Sequence, residues 1–275
     1  MGSAADLYLA IICNNVKLLK AMVELGADVN IARRGTTPLG LSVKNNREEI
    51  VKILVSFGAK VNQKSDDGMY TEPPLFTACR KGFKQIVKIL LKAPDINVNQ
   101  KDFFGRTPLW AAVRFRRYNI VKILLEHGAD INTATRYNEC PLYHSTQFIR
   151  NNDMAHLLIK SGCPLDFTDE WKRPPLYWCV RYADRETFEL LVCAGCRITG
   201  RQDWLSHDQL DPKWQEDAAF CQWIEHLQSN PRSLLDLTVA VVRRRISVRC
   251  KSLKEDSVET LDIPKALKNL ILLKD

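Results

Sequence analysis

Apolar side chains along residues 5–200 fall at helical spacing in short runs: Ile50, Ile53 and Leu54; Ile86, Ile89 and Leu90; Ile120, Ile123 and Leu124. Each run fits the buried stripe of a short helix. Pro-Leu steps recur at Pro38-Leu39, Pro74-Leu75, Pro108-Leu109, Pro141-Leu142 and Pro175-Leu176, at intervals of 36, 34, 33 and 34 residues. Proline in a first helical turn loses no hydrogen bond and presets φ, so each step predicts the start of another helix. Twenty or twenty-one residues after each Pro stands Gly58, Pro94, Gly128, Gly162 or Gly195. That position ends the second helix of a pair. Gly26 closes one more pair at the start, with Leu7 in the Leu position and no Pro before it. The pattern predicts six helix pairs. One pair cannot bury its own apolar face, so the pairs must stack.

Gly-Arg-Thr-Pro-Leu-Trp-Ala-Ala (105–112) and Ile-Val-Lys-Ile-Leu-Leu-Glu-His-Gly-Ala-Asp-Ile-Asn (120–132) resemble the ankyrin-repeat motif. Residues 1–200 are accordingly identified as six such repeats, the first lacking its leading turn. The resemblance implies a mainly α fold, a helical solenoid with β-hairpin fingers. The hairpin after the second repeat is longer than the others, and the fifth repeat has one extra residue near Asn151 and Asn152.

After residue 200 the period stops. Residues 201–231 hold Trp204, Trp214 and Trp223 and read as a helical bridge that caps the solenoid. In residues 232–275, an apolar stripe at Leu234, Leu237, Val241 and Val242 follows the N-cap candidate Ser233. A Leu261-Asp262-Ile263-Pro264 turn and a further apolar helix come next. Repeats, then this helix, then this turn resemble the ankyrin repeat and SOCS box family, whose small C-terminal box has three helices. The resemblance implies that Ser233, Leu234, Leu237, Thr238, Val241 and Val242 bind elongin C, accompanied by elongin B. It further implies that Leu261, Ile263 and Pro264 meet a cullin-5-type scaffold carrying a RING subunit. Thr238 stands where the family usually has Cys, and Asp262 replaces the first Pro of its turn.

In ankyrin proteins the hairpin tips and exposed sides of the first helices take the target. The matching positions here include Arg33, Arg34, Phe103, Phe104, Arg106, Arg114, Phe115, Tyr137, Trp171, Arg181 and Tyr182. Arginine and aromatic residues dominate interface hot spots, so the expected target is a protein segment that is acidic with apolar anchors. A solvated basic face is the competing account. The aromatics that directly follow the Pro-Leu steps (Tyr8, Phe76, Trp110, Tyr143 and Tyr177) are expected to pack within the solenoid instead.

Composition adds exclusions. Nine cysteines, odd in number and scattered, point to a reduced intracellular compartment, cytoplasmic with the nucleus also open. No apolar run approaches the roughly 20 residues of a membrane span, and no membrane association is expected. Cys193 and Cys196 have the spacing of half a zinc site, but no second pair follows, so neither metal nor cofactor is expected. Net charge is +8, and residues 232–275 supply half of it. Arg243, Arg244 and Arg245 end a helix, where cations suit the dipole, so nucleic acid is not an expected partner. No catalytic constellation is present. The leading expectation is a non-enzymatic substrate-recognition adaptor of a ubiquitin ligase; the alternative is a plain ankyrin scaffold whose C-terminal helices only cap the repeats.

Overall fold

The computed structural model describes residues 4–66, 71–136, 140–146, 152–165, 168, 171–194, 196, 210, 212–216, 218, 221–222 and 224–225. The chain divides into two compact bodies, Met1–Asp130 and Ile131–Asp275.

The first body holds four helix pairs: α1 (Ala4–Ile12) with α2 (Val16–Glu24), α3 (Pro38–Lys44) with α4 (Glu48–Ser56), α5 (Pro74–Lys81) with α6 (Lys84–Leu91), and α7 (Pro108–Arg114) with α8 (Tyr118–Glu126). The Pro-Leu steps start the inner helices as the sequence requires. Thr37 and Thr107 cap α3 and α7 by accepting the N–H groups of Gly40 and Trp110, with Pro38 and Pro108 at the first helical positions. Between the two helices of each pair the chain passes through one left-handed residue: Asn14, Asn46, Gly82 and Arg116. Asparagine and glycine enter that region readily.

Leu39, Leu75 and Leu109 are buried on the inner helices, and Ile50, Ile86 and Ile120 on the outer ones. Inner helices pack in the order α1, α3, α5, α7 and outer helices in the order α2, α4, α6, α8. Each fully buried Leu or Ile contributes about 1.5–3 kcal/mol, so stability is built from nearest-neighbour stacking.

Asparagines close the outer edge of this stack. Asn30 donates its amide to the Gly58 carbonyl (3.2 Å) and accepts the Lys60 N–H (2.7 Å). Asn62 donates to the Asp95 carbonyl and accepts the Asn97 N–H (2.9 Å), and Asn99 accepts the Asp130 N–H (2.8 Å). Each side chain thus satisfies backbone groups of the next repeat, which turns would otherwise leave open.

The second body holds α9 (Pro141–Thr146), α10 (Asn152–Lys160), α11 (Pro175–Arg181), α12 (Arg185–Ala194) and the short α13 (Pro212–Gln215). Here α9 packs on α10 and α11, and α12 on α10 and α11. Trp214 of α13 is buried and meets Phe188 of α12 edge-on, with ring centroids 5.7 Å apart. This contact joins the segment after residue 200 to the sixth pair.

Candidate binding surface

In the first body the fingers rise between the helix pairs. Arg33 and Thr36 exchange backbone hydrogen bonds (2.9 and 3.0 Å) around a tip in which Arg34 and Gly35 both have positive φ. This geometry matches the tight turns that favour a left-handed pair. The Tyr8 hydroxyl supports the finger from below, accepting the Arg33 N–H (3.1 Å) and lying in hydrogen-bonding range of the Ile31 and Thr36 carbonyls. Burial raises the Tyr8 phenol above its ordinary pKa, against a lesser opposing pull from Arg33. Arg33 and Arg34 themselves are exposed, as a target-facing role requires.

The longer second finger contains the short antiparallel pair β1 (Ser65–Asp66) and β2 (Thr71–Glu72). It locks onto the first. Thr36 Oγ1 donates to the Asp66 carbonyl (2.6 Å), Asp66 N–H donates to the Gly35 carbonyl (3.0 Å), and Ser65 Oγ accepts the Thr37 N–H (3.2 Å). At its base the buried Glu72 takes the Arg80 guanidinium at 2.9 Å and the Thr77 hydroxyl at 2.8 Å.

In the third finger the expected residues separate. Arg106 is held by Asp102 and lies over the rings of Phe76, Phe104 and Trp110 at 5.4, 4.6 and 4.9 Å. Its charge is engaged by Asp102 and by these three rings. Phe103 meets Phe104 edge-on at 5.3 Å yet remains 57% exposed. Phe115 is 43% exposed and Arg114 half-buried, both at the turn that follows α7.

That turn carries two further cations, Arg116 and Arg117. Arg116 adopts the left-handed region at φ 57°, where the preceding pairs use Asn14, Asn46 and Gly82. An arginine there costs about 1–2 kcal/mol of backbone energy. Arg117 lies across the neighbouring turn: a Cβ added at Gly82 would stand 2.7 Å from its Nε. Lys81, on that neighbouring turn, donates to the Lys44 carbonyl at 3.2 Å, and Arg47 to the Ile12 carbonyl at 3.2 Å. Cations over carbonyls at inner-helix C-termini complement the helix dipole.

In the second body, the Arg173 guanidinium is stacked among Trp171, Trp178 and Tyr177 at 4.2, 4.5 and 5.1 Å. Trp171 is 64% exposed, Arg181 is exposed, and Tyr182 is half-buried and stacked on Trp178 at 5.8 Å. Tyr143 is buried and Tyr177 half-buried. With Tyr8, Phe76 and Trp110 also buried, the aromatic series after the Pro-Leu steps serves the interior, apart from the partial exposure of Tyr177. Tyr137 lies outside the described residues, as do Ser233, Leu234, Leu237, Thr238, Val241, Val242, Leu261, Ile263 and Pro264.

Cys13, Cys79, Cys140, Cys163, Cys179, Cys196 and Cys221 are thiols and not disulfide-bonded. Burial pushes those of Cys79, Cys163 and Cys179 well above the ordinary range. Among the described residues no three His, Cys, Asp or Glu side chains gather to hold a metal ion. No helix among them is long and apolar enough to cross a membrane.

Stacked helix pairs with fingers and exposed, variable tips define a repeat solenoid used for protein interaction. The family model described as ankyrin repeats (3 copies) matches residues 6–65 and 61–135, so the chain carries ankyrin repeats over that stretch. The ankyrin repeat protein YahD of Escherichia coli (strain K12) is 29% identical over 197 residues, 58% of this chain and 96% of YahD. Human Rabankyrin-5 is 25% identical over 209 residues, but the chain spans only 18% of its length. Among solved structures, the human ASB11 ankyrin repeat domain superposes with a TM-score of 0.63 at 22% identity, covering 84% of this chain and all of that domain. At that identity the likeness speaks to fold.

Proposed function

We propose that this protein is the substrate-recognition adaptor of an elongin BC and cullin-5-type RING ubiquitin ligase. It acts inside the cell and contributes no catalytic residue. The repeats grasp a target protein, and residues 232–275 dock to the ligase as a SOCS box behind a bridge at 201–231. The observation that carries the reading is the order of parts: ankyrin repeats, then Ser233-Leu234 opening an apolar helix, then Leu261-Asp262-Ile263-Pro264. Ser233, Leu234, Leu237, Thr238, Val241 and Val242 form the elongin C face, and Leu261, Ile263 and Pro264 the cullin face.

Such docking is helix in groove, and a buried Leu contributes about 1.5–3 kcal/mol to it. Leu234→Asp removes that contribution and buries a charge besides. Co-expression of the full chain with elongins B and C, followed by affinity capture, tests the reading. The parent should retain both partners and Leu234→Asp neither; undiminished capture by the variant defeats the proposal.

A second reading has its own support. Trp214 is buried against Phe188 of α12, a contact that favours a covering role for the chain beyond the sixth pair. Under that reading the protein is a plain ankyrin scaffold, and elongins fail to co-purify with the parent as well.

A further inference from the structure

On the first body, the turns between inner and outer helices differ sharply in charge from repeat to repeat. The first, residues 12–16, has none, and the second, residues 44–48, sets Lys44 and Arg47 against Glu48. The third and fourth, residues 80–84 and 114–118, carry Arg80, Lys81, Lys84, Arg114, Arg116 and Arg117 without one carboxylate. Arg80 is committed to Glu72 and Lys81 is braced against the Lys44 carbonyl. Arg116, Arg117 and Lys84 are exposed or spread over the surface and meet no carboxylate among the described residues. Phe115 and Tyr118, 43% and 38% exposed, flank Arg116 and Arg117 in the chain.

Arg116 adds an independent pointer. It occupies the left-handed position that the three preceding turns give to Asn14, Asn46 and Gly82 and the sixth pair gives to Ala183. The turn would form more readily with glycine. Arg116 thus presents a cation at a step where the other described pairs carry the neutral residues Asn14, Asn46, Gly82 and Ala183.

We propose that the turns of the third and fourth repeats form a docking site for an acidic protein segment bearing one aromatic or large aliphatic side chain. Its carboxylates meet Lys84, Arg116 and Arg117, and its apolar side chain sits against Phe115 and Tyr118. A nucleic-acid strand suits the site less well, because a phosphate backbone needs a continuing basic track. Here the track ends one repeat away at Glu48 and Glu49. The proposal rests on the target-capturing half of the function above and leaves the ligase-docking half untouched.

The test uses the full chain and a short fluorescent peptide of glutamates and aspartates around one phenylalanine. Companion probes are the same peptide with serine for phenylalanine and a single-stranded RNA oligonucleotide. The parent should bind the phenylalanine peptide more tightly than either companion. Arg116→Glu with Arg117→Glu should weaken it about tenfold or more. Arg116→Gly should raise Tm by relieving the backbone while still weakening the peptide several-fold, which separates recognition from folding. The proposal is overturned if the parent fails to bind the peptide, if it prefers the RNA, or if Arg116→Gly gains stability with unchanged affinity. Elongin capture is measured on the same samples. A parent that captures elongins but not the peptide counts against this site alone, and a parent that binds the peptide but not elongins counts against the adaptor alone.

Discussion

Asp102 uses its two carboxylate oxygens for different tasks around Arg106. Oδ2 takes the Arg106 guanidinium through Nε at 2.7 Å and Nη2 at 2.5 Å, while Oδ1 accepts the backbone N–H groups of Phe104 (2.9 Å) and Arg106 (2.8 Å). The Asp102 side chain is 1% exposed and that of Arg106 is 24% exposed. One residue therefore fixes both the backbone of the finger and the cation within its aromatic cage. Asp102→Ala should cost about 2–4 kcal/mol in urea denaturation, because it strands a partly buried guanidinium and two N–H groups. Adding Arg106→Ala should cost much less than its effect in the parent. Simple additivity of the two would show that the pair does not act as a unit.

The contact between the first two fingers depends on a missing side chain. A Cβ at Gly40 would stand 1.9 Å from Ser65 Oγ and 2.6 Å from Ser65 Cβ. Gly40→Ala should therefore destabilise by about 1–3 kcal/mol even though it favours the helix. Combining it with Ser65→Gly should recover part of the loss. A thermal scan in which Gly40→Ala matches the parent would mean that the second finger moves aside freely.

Asn30 supports its neighbour through a measurable amide. Its Oδ1 accepts the Lys60 N–H at 2.7 Å, so Asn30→Ala should speed hydrogen exchange at Lys60. The stability cost should be about 1 kcal/mol. Asn62→Ala should do the same at Asn97, whose N–H lies 2.9 Å from Asn62 Oδ1. Protection unchanged at both amides would remove the asparagine edge from the account of stacking.

The buried thiols make stability fall at alkaline pH. Burial raises Cys79, Cys163 and Cys179, so the folded chain holds these protons more tightly than the unfolded one. Their contribution is complete below the ordinary thiol value and is lost as pH rises past it. The loss is about 1.4 kcal/mol per pH unit for each thiol. The denaturation midpoint should drop steeply above that value, and Cys79→Ala should flatten the slope. At neutral pH, alkylation followed by mass spectrometry should mark the exposed Cys13 first and leave these three unmodified until the chain unfolds.

Much of the fold could be read from local chemistry. Pro38, Pro74 and Pro108 begin their helices because proline's fixed φ acts within one turn. Ile50, Ile86 and Ile120 are buried because every outer helix repeats the same stripe. The surface was less legible. Arg106 looked like a target-facing cation, but the carboxylate of Asp102 and the rings of Phe76, Phe104 and Trp110 claim its charge. The four-residue interval from Asp102 to Arg106 was visible, yet outside a helix that interval says nothing about contact. Arg116 carries its charge at a left-handed step of the turn, where Asn14, Asn46, Gly82 and Ala183 are neutral, and a backbone angle is not written in a residue pattern.

The sequence by itself determined the repeat, the starts of the helices and which faces are buried. These follow from residue type and a period, and each repeat restates them. Only the tertiary structure decided which charges remain available to a partner. Arg106, Arg80 and Lys81 are spent on Asp102, Glu72 and the Lys44 carbonyl, whereas Arg116 and Arg117 meet no carboxylate among the described residues. The physical reason is that a cation's availability depends on the groups that folding brings within a few ångströms of it. Several of those groups belong to the neighbouring repeat.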